Sequence, residues 1–124
     1  MKIVDLNQFL SMPPGTLYAK YSPCVVEGMA IKGETIWETK DFYTTDLSMP
    51  IDCINCSDFE DKLFDSELNG TSIKIGIARE DESRDGCYDR DQLFMVWERY
   101  DVYALIGRLV QAVGDSEPER QVTT

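Results

Sequence analysis

The chain has 124 residues, 43% of them hydrophobic, and its 23 acidic and 12 basic residues give a net charge of −11. This length and apolar content predict one domain with a single core, and the charge disfavours direct binding to DNA, RNA or anionic membranes. Histidine is absent, which excludes Ser-His-Asp triads, Cys-His dyads and histidine-containing metal sites.

The first part of the chain predicts a short helix followed by strands. Asp5 can cap a helix that turns Phe9 and Leu10 to one side, and the PPG sequence at 13–15 ends it. The alternating segment "TLYAKY" predicts a strand, and "GMAIKGETIW" predicts a hairpin that turns at residues 32–34. The aromatic and β-branched residues of "DFYTTDL" favour another strand.

A short central helix is predicted from Ser57, because Ser57 followed by Glu60 is a capping-box pattern. This helix runs to residue 68, is closed by the Asn-Gly pair at 69–70, and turns four apolar residues inward. These are Phe59, Leu63, Phe64 and Leu68. After it, "SIKIGIA" has the strictest alternation in the chain, and "QLFMVWER" is apolar on both faces, as in a covered central strand.

The C-terminal segment carries the strongest periodic signal. Asp101 is expected to cap a helix that Gly114 ends, with apolar residues at helical spacing along one face. They are Val102, Leu105, Ile106, Leu109, Val110 and Val113. The pattern as a whole predicts an α+β fold, a small and mostly antiparallel sheet packed by this helix, with short N-terminal and central helices. Residues 1–114 form the domain, and 115–124 form a polar, disordered tail.

The location is expected to be the cytoplasm. No apolar run approaches the roughly 18–20 residues that span a bilayer, and the N-terminal segment lacks the pattern of a secretory signal. In that compartment the four cysteines favour reduced thiols over a disulfide framework. Cys53 and Cys56 form half of a zinc motif that Cys24 and Cys87 could complete only through the fold, so zinc is a weaker alternative.

The segment "DESRDGCYDRDQ", residues 81–92, resembles a calcium-binding loop in its first eleven positions. The twelfth position holds Gln92 where a bidentate glutamate is needed, and the flanking segments predict strands where helices are needed. Two interpretations remain: a solvated hairpin loop with Asp85 and Gly86 at its tip, or an acidic recognition surface.

No catalytic residues and no cofactor are predicted. Acidic clusters near residues 60 and 90 have the residue types of a metal-dependent nuclease, but charge runs are usually solvated faces. A P-loop and a GxGxxG sequence are both absent.

Four segments resemble small acidic accessory proteins of tailed bacteriophages and prophages: "FLSMPPGTLYAKYSPC", "IKGETI", "DFYTTDL" and "LFMVWERYDVYALIGRLVQAV". The resemblance implies a host bacterial cytoplasm and an inhibitor of bacterial defence, such as an anti-CRISPR protein or a DNA mimic. It supplies no motif that assigns a role to a numbered residue.

The charge distribution agrees with such a role, because residues 57–101 hold thirteen acids and six bases, a net charge of −7. The leading hypothesis is an inhibitor that binds a basic, nucleic-acid-binding surface of a partner, most simply a CRISPR effector, through an acidic face. The predicted face consists of Asp58, Glu60, Asp61, Asp65 and Glu67 on the central helix and Asp81, Glu82, Asp85, Asp89 and Asp91 in the loop. The alternatives are a module that sequesters a nucleotide signal in a pocket of basic and aromatic residues, and a metal-binding structural protein.

Overall fold

A computed structural model describes residues 1–47, 51–76 and 82–115. Within these ranges an antiparallel sheet of seven strands and three helices confirm the α+β class. The strands are β1 (Lys2–Val4), β2 (Leu17–Ser22), β3 (Val25–Val26), β4 (Ala30–Ile36), β5 (Asp41–Asp46), β6 (Ser83–Arg84) and β7 (Leu93–Val96). The helices are α1 (Leu6–Leu10), α2 (Cys56–Asn69) and α3 (Arg99–Asp115).

The sheet has the order β1-β7-β2-β4-β5-β6, with β3 paired to β2. The strand predicted from "QLFMVWER" is β7, and it lies between β1 and β2 with Phe94 and Val96 buried. The strands predicted from "TLYAKY" and "DFYTTDL" are confirmed as β2 and β5.

The core lies beneath α1. Asp5 caps this helix as predicted, since its carboxylate accepts a hydrogen bond from the backbone N–H of Gln8 at 2.8 Å. Phe9 then enters a group of four rings, stacked on Phe94 with centroids 4.0 Å apart and tilted against Tyr18 at 4.7 Å. Phe42 completes the group at 4.9 Å from Phe9. One turn of helix is therefore enough to cover the centre of the sheet.

The hairpin predicted at residues 32–34 is wrong. β4 continues through these residues with a register shift against β5 between Lys32 and Thr35, and the chain reverses at residues 37–40. The Lys32 side chain is buried, and its ammonium donates to the Gly33 carbonyl at 3.0 Å and to Thr35 Oγ1 at 2.7 Å. Thr35 in turn donates to the Leu10 carbonyl at the end of α1. The register shift accommodates the turn-like Lys-Gly-Glu sequence within the strand.

The strand predicted from "SIKIGIA" is wrong over its described part. Within residues 71–76 the chain forms a single isolated antiparallel bridge, between Ile75 and Ile51. It does not form an extended strand there. Residues 77 and 78 lie outside the described ranges. An alternating pattern defines which side chains would lie on each face of a strand. A strand also needs a neighbouring strand to pair with, and the residues of the segment itself do not specify that partner.

The start and packing of α3 differ from the prediction. The helix begins at Arg99, so Asp101 is its third residue and not its N-cap. Its carboxylate accepts a hydrogen bond from the Glu98 N–H at 2.9 Å. No residue of α3 between Arg99 and Gly114 is buried. The C-terminal helix is therefore present, but the expectation that it covers the sheet is wrong. The helix extends one residue past Gly114 to Asp115, and the rest of the predicted tail lies outside the described ranges.

Candidate partner-binding surface

The start of α2 determines which side of this helix faces outward. The helix begins one residue before Ser57, and its N-cap is Asn55, whose side chain accepts from the Asp58 N–H at 2.8 Å. Lys62 forms an ion pair with Asp58 at 3.1 Å and donates to the Asp52 carbonyl. Asp58 and Lys62 thus lie on the inward side and bind the helix to the segment before it. At the other end Gly70 is the predicted C-cap, with φ of 70°.

The outward side of α2 combines apolar and acidic residues. Phe64 is 60% exposed and Leu68 is 79% exposed, so the prediction that α2 turns its apolar residues inward is wrong. Leu63 is exposed as well and Phe59 is half-buried; no residue of α2 is buried.

Helical geometry places four exposed carboxylates around this apolar pair. At 3.6 residues per turn, Glu60 and Glu67 lie along one flank of the Phe64–Leu68 row, and Asp61 and Asp65 lie along the other. We call the surface formed by Glu60, Asp61, Phe64, Asp65, Glu67 and Leu68 the α2 face. An apolar centre with a charged rim is the arrangement of many protein-binding surfaces.

The electrostatics of α2 favour a basic partner. The helix contains five acidic residues and one lysine, a net charge of −4. A hydrogen bond from Asn69 and then one from Thr71 lower the pKa of Asp65 below its usual range, and the Ile54 N–H followed by Lys62 does the same for Asp58. Both carboxylates therefore stay charged well into mildly acidic conditions.

The predicted hairpin at residues 81–92 is wrong. β6 pairs with β5, and three strands separate it from β7 in the sheet, so the segment between them crosses the sheet and does not form a hairpin. Gly86 and Cys87 allow the path by adopting positive φ angles of 91° and 48°.

The loop contributes less to an acidic surface than its composition predicts. The Asp85 side chain is only 10% exposed and pairs with Lys20 at 2.8 Å. Asp89 and Asp91 are exposed, and Asp89 accepts from the Asp91 N–H at 2.9 Å. Glu82 is exposed, with its carboxylate lying against Gly33. Asp81 lies outside the described residues. Asp85 is therefore not part of an exposed acidic face, because its carboxylate is paired with Lys20 within the protein.

The buried carboxylate of Asp41 is the centre of an ion network at the base of this loop. Its carboxylate accepts from the N–H groups of Phe42 at 2.8 Å and Gly86 at 3.0 Å, and from Arg84 Nε at 3.0 Å. Its ligand atoms lie within 4.8 Å of those of Asp85 and Cys87, which is close enough to surround a metal ion. Arg84 and Lys20 already neutralise the two carboxylates, so little net charge remains to attract a divalent cation.

The cysteines do not assemble the predicted alternative zinc site. In the described ranges, the one group with metal-ligand proximity contains Cys87 alone of the four. Cys24 and Cys56 are exposed, Cys53 is half-buried and Cys87 is buried. Burial, followed by the charges of Asp85 and Asp41, raises the pKa of the Cys87 thiol, so it is a poor thiolate.

A cleft of about 760 Å³ lies beside the β4–β5 turn. Trp37, Lys40 and Arg90 line it, as a nucleotide pocket would require, but so do three carboxylates, those of Asp5, Glu38 and Asp91. The Arg90 guanidinium already donates to the carbonyls of Thr39 and Lys40, each at 3.2 Å. The net charge of the lining is negative, which disfavours a phosphate ligand.

No family model matches the chain, and neither a curated protein nor a solved structure matches it. In the part of the chain that the structure describes, none of the helices has both the length and the hydropathy needed to cross a membrane.

The residues that sequence reasoning missed are Phe64 and Leu68. Their apolar character suggested a buried face, but a signal for the opposite was present. Carboxylates flank them on both sides of the helix, so burying the pair would also bury charged groups at heavy desolvation cost. With carboxylates on both flanks of the pair, exposure of these two apolar residues is the less costly outcome.

Proposed function

We propose that this protein is a phage-encoded inhibitor that covers a basic, nucleic-acid-binding surface of a bacterial defence complex, and that it docks through the α2 face. A CRISPR effector is the first partner to test, since its nucleic-acid channel is positively charged. The protein would act in the host bacterial cytoplasm, where such complexes work.

The observation that carries the proposal is the exposed Phe64–Leu68 pair between two rows of carboxylates. Lysine and arginine residues of a nucleic-acid channel attract the rim, and an apolar pocket in the channel accepts the aromatic ring. Duplex DNA carries phosphates without such an apolar anchor, so the α2 face indicates specific protein recognition more than pure imitation of DNA charge. In this proposal the apolar pair contributes most of the binding affinity, and the acidic residues increase the rate of association.

The direct test measures binding of the purified protein to a CRISPR effector loaded with guide RNA. The variant F64A/L68A is expected to bind at least 30-fold more weakly, the loss that follows from removing a hot spot worth about 2 kcal/mol. Both side chains are largely exposed, so the variant should retain the fold, as circular dichroism can verify. Y100A is the matched apolar control, because Tyr100 is 87% exposed on another helix; it should bind as the wild type does.

A second pair of variants separates charge from shape. E60Q/E67Q is expected to slow association and to make the association rate less dependent on salt concentration. E27Q/E38Q removes the same charge away from the α2 face, so it should change the association rate and its salt dependence little. Equal binding by F64A/L68A and the wild type would refute the role of the α2 face.

The partner itself can be sought with the same variants as baits in a bacterial lysate. The expected result is a nucleic-acid-binding protein that the wild type retains, that F64A/L68A loses and that heparin displaces. If the two baits retain the same proteins, the proposed function is wrong.

A further inference from the structure

The apolar residues of α3 form a stripe that the core beneath α1 leaves exposed. Val102 and Leu105 are half-buried, and four further residues, Ile106, Leu109, Val110 and Val113, are between 47 and 64% exposed. At 3.6 residues per turn all six fall within an arc of about 140° along a helix roughly 25 Å long. We call these six residues the α3 stripe. A contiguous apolar surface of this kind on a small protein indicates an interface.

The polar end of the chain is a poor match for this surface. Residues 116–124 read SEPERQVTT and contain one aliphatic residue, Val122. A segment of this composition has too little apolar surface to cover a stripe of six residues. Another molecule is therefore a better candidate for the occupant than this segment.

Charge identifies a second copy of the chain as a suitable occupant. The protein carries −11 overall and α2 carries −4, so most contacts between two copies bring like charges together. The helix α3 is different: its two arginines, Arg99 and Arg108, balance its two aspartates, Asp101 and Asp115. This helix therefore adds no net charge of its own to a contact between two copies.

We propose that α3 is a dimerisation helix and that two copies pack their stripes antiparallel about a two-fold axis near Ile106 and Leu109. An antiparallel pair places the acidic bodies of the two chains at opposite ends of the helices, whereas a parallel pair places them side by side. It also sets the positive end of each helix dipole beside the negative end of the other. The interface is isologous, so it closes at two copies.

The proposal is independent of the α2 face, but the two have a joint consequence. A dimer presents two α2 faces, so a partner with two basic surfaces within reach binds it more tightly than it binds one copy.

Light scattering and sedimentation equilibrium test the proposal over about 1 µM to 1 mM protein, the range in which modest interfaces dissociate. The wild type is expected to reach twice its chain mass of 14.2 kDa at physiological salt. L109E places a charge in the middle of the stripe and should stay monomeric. Q111E is the matched control: it adds the same charge on the opposite side of α3 and should dimerise.

Orientation is tested with V102K, V113E and the double variant. In an antiparallel dimer residue 102 faces residue 113 of the other copy, so V102K/V113E should dimerise more tightly than either single variant. A double variant weaker than both would overturn the antiparallel arrangement.

Dimerisation as a whole would be overturned by a wild-type mass of one chain across the concentration range, or by an L109E variant that dimerises like the wild type. A monomer that co-sediments with phosphatidylcholine vesicles would also overturn it and assign the stripe to a lipid surface. F64A/L68A should keep the dimer, so failure of the proposed function and failure of this inference are distinguishable.

Discussion

Replacing Phe9 by alanine tests whether α1 holds the sheet. The side chain is fully buried and contacts three aromatic rings with centroids 4.0–4.9 Å away. Removing a buried phenylalanine costs about 3–5 kcal/mol. L109A on α3 removes a side chain that is 56% exposed, so it should cost less than about 1 kcal/mol. The difference between the two variants measures which helix carries the core.

Urea unfolding followed by circular dichroism measures both variants, at a protein concentration low enough to keep the chain monomeric. With a slope of about 1.5 kcal/mol per molar urea, a loss of about 4 kcal/mol lowers the midpoint by roughly 2.7 M. Domains of this size unfold with about 5–15 kcal/mol, so F9A could be unfolded in water, and F9L then provides a milder series. If L109A costs as much as F9A, or if F9A costs less than about 1 kcal/mol, α1 does not carry the core.

Three further predictions concern buried polar groups. D41N should lower the free energy of unfolding in urea by about 2 kcal/mol. The charge-assisted hydrogen bond from the half-exposed Arg84 is lost, whereas the N–H groups of Phe42 and Gly86 keep their acceptor. A cost near zero would contradict the role of Asp41 in the ion network. Burial lowers the pKa of Lys32, so the folded chain binds fewer protons than the unfolded chain between that lowered pKa and the usual pKa of lysine. Stability should rise with pH across this alkaline window, and K32M should remove the rise; an unchanged slope would contradict it. Thiol labelling at mildly alkaline pH, followed by mass spectrometry, should modify Cys24 and Cys56 first and Cys87 last; early loss of Cys87 would contradict its burial and its raised pKa.

Several elements could be predicted because their signals are local. Asp5 caps α1 with a hydrogen bond to a residue three positions on, and Gly70 ends α2 because glycine adopts the left-handed conformation without steric cost. The strands β2, β5 and β7 follow from alternation and from β-branched and aromatic content. These features depend on neighbouring residues, so the chain itself determines them.

Tertiary structure decided which faces are buried. Helical spacing places the apolar residues of α2 and α3 on defined sides of each helix. Burial also requires an opposing surface. The centre of the sheet does not provide one, because α1 covers it. Asp85 illustrates the same limit for charge: its partner Lys20 lies on a strand that is distant in sequence, so a loop that looks solvated turns this carboxylate inward. The acidic composition of the central region was therefore readable from the sequence. The exposed apolar pair on α2 and the uncovered stripe on α3 became visible only once the packing of distant segments was known.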